Sequence, residues 1–262
     1  APPLAGSGPT VGAMLANADG RTTLVEYLAG RGTRFLSPME IAADPLSLSL
    51  IVPVLNEAST VVAQLQAVQA FRVRGAEVVL VDGGSCDATA DLARPVVDQL
   101  IESARGRATQ MNAGARASRG RILLFLHADT TLPPEADDLI RQAVGHGASW
   151  GRFDVRIDAP HPLLRVVERM MNWRSRLTGI ATGDQAIFVC RDVFESVGGY
   201  PELPLMEDIA LSKRLKRIAR PVCLRETVVT SGRRWQTHGV WRTVFLMWRL
   251  RASYYCGADP RQ

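Results

Sequence analysis

Lysine is nearly absent. Lys213 and Lys216 are the only two among 262 residues, so all but two of the 31 basic side chains are arginine. With no lysine ahead of Lys213, a G-x-x-x-x-G-K phosphate loop is excluded from everything before it. Cys86, Cys190, Cys223 and Cys256 are widely scattered and form no C-x-x-C pair. That excludes a zinc knuckle or a thioredoxin-like site, and reduced thiols in a cytoplasmic protein are the default. There is no H-E-x-x-H. No apolar run approaches the roughly 18–20 residues that a membrane span needs. No charged-then-apolar leader opens the chain, so no secretory signal is expected. The first residue is Ala1 rather than Met, which fits a missing start. Aromatics are 6% of the residues and do not interleave with a basic stripe, so a single-strand nucleic-acid groove is not expected. Gly6-Ser7-Gly8 is followed by Pro9 and preceded by no strand, so it is no dinucleotide fingerprint.

What is present describes an ordinary globule, 47% hydrophobic and 22% charged. The net charge is +5 and the isoelectric point about 9.4. Arginine forks suit phosphate and carboxylate, so an anionic substrate or an anionic membrane surface fits. A solvated surface would also use much of this arginine. The length allows one large domain or two small ones. Residues 1–45 read as an N-terminal extension: a Pro/Gly/Ser-rich start, then short helices near Thr22–Ala29 and after Ser37-Pro38. They carry no recognisable chemistry.

From residue 46 the chain alternates strand and helix. Leu46–Leu55 reads as a strand, and Asn56–Thr60 turns into a helix carrying Val61, Leu65 and Val68. Ala76–Val81 is a second buried strand, ending in Asp82-Gly83-Gly84-Ser85. Glycines there allow close backbone approach to a ligand, and Asp82 could accept from a ribose or base. A tight turn capped by Asp87 explains the same residues. Val96–Ile101 reads as a third strand. Arg105–Gly114 starts a helix whose arginines could cradle a diphosphate or simply face solvent. Ile122–Leu126 is an unbroken apolar run that stops at His127-Ala128-Asp129, a buried strand of a parallel sheet. This succession is a doubly wound α/β sheet, with ligands expected at the carboxyl ends of its strands. His127 and Asp129 lie two apart, so in extended chain they point the same way and could hold a divalent metal. A strand ending in polar residues explains them equally.

The second half is less regular. Ser149–Ile157 alternates and predicts an antiparallel or edge strand. His161-Pro162 opens a helix. Leu177–Gln185 is a Gly/Thr-rich loop, long for a connection and so suspected of binding. Ala186–Cys190 is a strand. Glu207 and Asp208 open a helix, where acids complement the dipole or serve as catalytic carboxylates. Pro221–Val229 is the last strand, and Ser231–Trp235 reads as a basic loop. Val240–Tyr255 predicts an amphipathic helix, packed on the sheet in one reading and lying on a membrane in the other.

Taken together, Ile51-Val52-Pro53-Val54-Leu55-Asn56-Glu57, Val81-Asp82-Gly83-Gly84-Ser85, Gln110-Met111-Asn112-Ala113-Gly114, the His127-Ala128-Asp129 run and Met206-Glu207-Asp208 resemble the family 2 glycosyltransferases with a GT-A fold. The order and spacing of these stretches over about residues 47–235 carry the resemblance. Leu124–Asp129, Thr182–Ala186 and Pro204–Asp208 look closest to a bacterial subgroup labelled radical-SAM/selenodomain-associated transferases. The resemblance implies one GT-A domain over 46–262, with a nucleotide-binding half at about 46–130 and an acceptor-binding half at about 131–262. It implies an inverting transfer from a nucleotide-sugar, most simply a UDP-sugar, to an unidentified acceptor. Asp208 would be the base, with Glu207 beside it. Pro53, Asn56, Glu57, Asp82, Gly83, Gly84, Ser85, Arg107, Gln110, Asn112, Asp129, Arg233, Arg234 and Trp235 would serve the donor. Gly183, Asp184 and Gln185 would face the acceptor. The family's metal motif is commonly Asp-x-Asp, and its first acid is His127 here; histidine suits Mn2+ better than Mg2+. Asp129 is the expected ligand, with His127 as a second ligand or a nucleotide contact. No nucleic-acid partner is expected, and the location implied is cytoplasmic or peripheral at the inner face of the membrane, through 240–255. A sugar-phosphate nucleotidyltransferase would need a basic glycine-rich loop where Asn56-Glu57-Ala58 stands. A nucleotide-sugar-binding module without catalysis is the other alternative, raised by His127.

Overall fold

The computed structural model describes residues 44–239, 241–243, 245, 246 and 249. The expected extension over 1–45 lies outside these residues apart from its last two, as does most of the expected helix over 240–255.

Four parallel strands form the first half of an eight-stranded sheet: β1 (Leu48–Val54), β2 (Glu77–Asp82), β3 (Gln99–Glu102) and β4 (Ile122–Phe125). Helices α1 (Val61–Val73), α2 (Thr89–Ala93) and α3 (Arg107–Ala117) connect them. The third strand starts later than expected because Pro95 is taken into a short 3-10 turn over Arg94–Val96. Residues 48, 50, 52 and 54 of β1 pack with Val61, Leu65, Val68 and Phe71 of α1 on one face. On the other face, Ile51 packs with Met111 and Ala115 of α3. Burial on both faces is why these strands read as continuous apolar runs. Gly114 lets α3 sit close, because a Cβ there would lie 2.5 Å from Cγ2 of Ile51.

After β4 come the two-residue strand β5 (Thr130–Thr131), helix α4 (Ala136–Gly145), β6 (Trp150–Asp158), α5 (Pro162–Thr178) and β7 (Ile187–Cys190). Helices α6 (Arg191–Ser196) and α7 (Glu207–Leu215), strand β8 (Val222–Ser231) and helix α8 (Arg233–His238) complete the described elements. The strand order is β3-β2-β1-β4-β7-β6-β8-β5. The sheet is mostly parallel, with β7 antiparallel to β4 and β6, and β5 antiparallel to β8. β6 is interior, not an edge: it is flanked by β7 and lies parallel to β8. Residues Arg233–Trp235, expected as a loop, are the first turn of α8.

The connection reverses direction at β1, with β2 on one side and β4 on the other. Such a switch point leaves a crevice beyond the carboxyl ends of the strands. β4 pairs with β1 only as far as Ile51 and Phe125, and the next amide, Leu126, donates to the Ile51 carbonyl. By strand parity Pro53 faces the same side, where β4 has already turned away, so its missing N–H breaks no ladder bond.

Candidate active site

The crevice has two walls. The first is made where the loops after β1 and β2 are laced together. Asn56 adopts a left-handed conformation (φ 54°), which asparagine tolerates well. Its side-chain oxygen accepts from the Cys86 amide at 2.9 Å, and its own amide donates to Ser85 Oγ at 2.9 Å. Ser85 donates from its amide (2.9 Å) and its hydroxyl to the buried carboxylate of Asp82. The Glu57 amide donates to Thr89 Oγ1 at 2.8 Å. Gly84 takes φ +85°, which an L side chain would resist. Pro53, Asn56, Glu57, Asp82, Gly83, Gly84 and Ser85 are thus brought together.

The second wall stands at the end of β4. The Thr130 amide donates to the His127 carbonyl at 3.1 Å, closing a turn with Ala128 and Asp129 at its centre. Gln64 of α1 pins this turn by donating to the Thr130 carbonyl at 2.5 Å. The turn overturns the reading that His127 and Asp129 share a direction, which held only for extended chain. Asp129 is exposed, whereas the His127 ring is buried. His127 Nδ1 lies 3.3 Å from Asp184. Its Nε2 has no hydrogen-bond partner and is pressed on Gly183, where a Cβ would lie 2.3 Å away.

Gly183–Gln185 form a short 3-10 turn, at whose start the Thr182 amide donates to Gln185 Oε1 at 3.2 Å. The Gly183 amide donates to Asp208 Oδ2 at 2.7 Å, and Ile209 donates to Asp208 Oδ1 at 2.7 Å. Both oxygens are therefore oriented, and each keeps a lone pair. Met206, just before the acidic pair, is itself left-handed (φ 67°), an uncommon conformation for a non-glycine residue. Glu207 is buried, and burial, then the Asp208 charge, pushes its carboxyl above the usual range. Arg107 Nη1 approaches it to 3.7 Å. Tyr200 escaped the sequence reading. It is fully buried, and burial and then the Asp208 and Glu207 charges raise its phenol well above the ordinary value.

The end of β8 and the start of α8 reach both walls. The Ser231 amide at the end of β8 donates to the Asp129 carbonyl at 3.0 Å, and Arg233 Nη2 comes within 3.9 Å of Glu57. Four expected site residues stand otherwise. Gln110 donates to the Val54 and Val81 carbonyls at 2.8 and 2.9 Å, bracing β1 to β2. Asn112 clamps the Tyr200 backbone in both directions. Gln185 is buried and braces its loop to Ser175 at 3.1 Å. Trp235 is buried in an apolar cluster with Ile157 and Leu164. An amide or indole reads the same in sequence whether it faces a ligand or the main chain. The side chain of Arg234 lies outside the described residues.

No group of three or more His, Cys, Asp or Glu side chains among the described residues could hold a metal. His127 does not fit as a ligand, because its free nitrogen is walled in by Gly183. Asp129 fits a different kind of site. A small hard cation is commonly held by one or two carboxylates plus substrate phosphates, without an all-protein cage. An exposed lone carboxylate at a strand end suits that arrangement.

Fold and crevice together define an α/β domain built to take a ligand at its switch point. Residues 49–194 match the family model "Glycosyl transferase family 2". The chain belongs to that family. A PGL/p-HBAD biosynthesis glycosyltransferase of Mycobacterium bovis is 39% identical over 102 residues, 36% of this chain and 40% of that protein. A dodecaprenyl-phosphate galacturonate synthase of Rhizobium johnstonii is 33% identical over 114 residues, 38% of this chain and 34% of the relative. The matches thus span about two fifths or less of these relatives. In structure, S. aureus TarS 1-349 in complex with UDP-GlcNAc aligns with TM-score 0.56 at 17% identity, over 70% of this chain and 58% of that one. Glucosyl-3-phosphoglycerate synthase from Mycobacterium tuberculosis, in complex with Mn2+, UDP and glucosyl-3-phosphoglycerate, aligns with TM-score 0.53 at 15% identity, over 75% and 76%. These likenesses show the fold, which is GT-A.

Proposed function

We propose that this chain is an inverting glycosyltransferase that moves a sugar from a UDP-sugar to an acceptor hydroxyl. The observation that carries the reading is the held carboxylate of Asp208, fixed by the Gly183 amide. A general base must be within hydrogen-bond reach of its proton and correctly aimed before its pKa matters. Asp208 takes the proton from the acceptor as the acceptor oxygen attacks the anomeric carbon from the face opposite the leaving diphosphate.

The laced loops around Asp82, Ser85 and Asn56 form the nucleoside wall. Arg107 and Arg233 both stand half or more exposed next to acids, Glu207 and Glu57. Each is free to turn from its long ion pair to a diphosphate oxygen, for which the guanidinium fork is well matched. Asp129 would hold a divalent ion, Mn2+ or Mg2+, which when bound offsets charge growing on the departing diphosphate. Gly183 and Asp184 border the acceptor side. The subgroup resemblance of Thr182–Ala186 and Pro204–Asp208 supports the same division of roles without naming an acceptor.

The test is a thermal-shift panel of UDP, GDP, CDP and their sugars, each with Mn2+, Mg2+ or chelator. A ligand that binds only the folded state raises its apparent stability. A metal-dependent shift with UDP and one UDP-sugar is the expected result; a shift with GDP alone would replace the donor, and none at all would overturn the reading. One observation favours a second reading, a binding module without catalysis: His127 is turned away from Asp129. Release of free UDP from the UDP-sugar at a rate that falls in Asp208→Asn rejects the module.

A further inference from the structure

Helix α5 is oriented against the usual rule. Its inward stripe is Leu164, Glu168, Met171 and Ser175. Half of that stripe is polar and held by specific bonds: Glu168 accepts from the Ile157 amide, and Ser175 accepts from Gln185. Its outward stripe is wholly apolar. Val166, Met170, Trp173 and Leu177 recur at spacings of four, three and four, and are 50%, 51%, 66% and 55% exposed. Residues so spaced lie on one face. At 1.5 Å per residue the stripe runs about 16 Å. Single exposed apolar side chains need no explanation, but a contiguous stripe with a central tryptophan marks a surface that something covers.

The charge around the stripe points to the occupant. On helix α5, Arg165 and Arg176 turn inward to Glu168 at 2.9 Å and to Asp154, and Arg174 has two guanidinium nitrogens shut off from solvent, so Arg169 is its exposed cation; its one acid, Glu168, is buried. At the Leu177 end, Lys216 Nζ donates to the Thr178 carbonyl at 2.7 Å and Arg220 to the Leu177 carbonyl at 3.4 Å. Between them Ile218 is exposed. Trp235 packs against Leu164 of the same helix, and Trp241 and Phe245 further along the chain are 73% and 71% exposed. An apolar face with tryptophan, on a helix without an exposed acid and with the exposed cations Arg169, Lys216 and Arg220 on it or at its end, is complementary to the interface of an anionic bilayer. We infer that the outward face of α5 docks on the surface of an anionic lipid membrane. The helix runs through Gly179 directly into the Thr182–Gln185 turn, whose Gly183 holds Asp208. Docking therefore sets the acceptor side of the crevice close to the lipid surface, a consequence that rests on the transferase reading; the docking itself does not.

The test is co-sedimentation of the full chain with vesicles of phosphatidylcholine alone or mixed with phosphatidylglycerol, without nucleotide or metal. The chain is expected to pellet with the mixed vesicles, less at high salt. Met170→Gln with Trp173→Ser should lower the bound-to-free ratio about tenfold or more, since two buried apolar side chains are lost. Arg169→Gln should lower it about fivefold. Thermal unfolding of each variant and its UDP response, measured without vesicles, check that fold and crevice persist. Equal binding to neutral and anionic vesicles, or full binding by the double variant, overturns the proposal. So does a parent chain that is dimeric by light scattering and becomes monomeric in the double variant without binding lipid, which makes a second copy the occupant. A failure of the UDP panel leaves the vesicle result standing, and the reverse also holds.

Discussion

Asp208 and Gly183 are joined by a 2.7 Å hydrogen bond from the glycine amide to Oδ2, across 25 residues of sequence. This contact ties the first turn of α7 to the turn before β7. The ring of His127 presses on the same glycine. Three separated stretches of sequence thus meet at one backbone amide.

Replacing Asp208 by Asn keeps the shape and removes the base. General-base help is typically worth about 10²–10⁴-fold, so turnover of the Asn variant is expected to fall by that factor. Stabilisation by UDP should be unchanged, because the carboxylate of Asp208 is bonded to the Gly183 and Ile209 amides and not to the nucleoside wall. Initial rates at saturating donor check this; a variant that transfers sugar at the parent rate removes Asp208 from the role.

Gly183→Ala tests the His127 contact. The added methyl would lie 2.3 Å from both Cε1 and Nε2 of the ring, so ring or turn must move. Overpacking of this kind costs about 1–3 kcal/mol. A displacement near 1 Å at a catalytic group can cost about 10²-fold in rate. The double variant with His127→Ala removes the clash and should recover most of the lost stability. If the two substitutions instead add independently in thermal unfolding, Gly183 and His127 do not share a contact.

The doubly wound half was legible because burial on both faces writes unbroken apolar runs, as in Val78–Val81 and Ile122–Leu126. The loop after β2 and the His127–Asp129 stretch stood out because polar residues followed those runs abruptly, and the acidic pair because two acids open a helix. What failed was direction. Periodicity assumes that a strand continues, and the strand ends at Phe125, so the turn at Ala128-Asp129 sends His127 inward and Asp129 outward. Gln110 and Asn112 sit in the expected stretch but spend their amides on main-chain groups 56 and 88 residues away. Such partners depend on tertiary packing and leave no local mark. Tyr200 was missed for the same reason: only the fold brings it beside the acidic pair.

The raised carboxyl of Glu207 sets a pH dependence with a definite sign. An acid whose folded value lies above its unfolded value holds its proton longer when folded. The native state then binds more protons than the unfolded chain, so stability falls as pH rises. The loss begins near the unfolded glutamate value, about 4.3, and is complete above the raised native one. Glu207→Gln should remove this component and flatten the unfolding temperature across that window. An unchanged slope in the variant would assign the dependence to another group.

Asp129 is the exposed carboxylate at the end of β4, and the described residues offer no cluster that could hold an ion by themselves. A site of that kind predicts strong coupling between metal and nucleotide: each binds weakly alone and better with the other, because the diphosphate completes the coordination. Asp129→Ala should therefore abolish the increment in UDP stabilisation that Mn2+ provides and leave the smaller metal-free shift in place. His127→Ala should keep most of the increment, since its Nε2 faces Gly183 and its Nδ1 faces Asp184. Calorimetric titration of UDP with and without Mn2+ separates the two variants. Equal loss in both would return His127 to the ligand set and require its ring to swing out of the turn when the donor arrives.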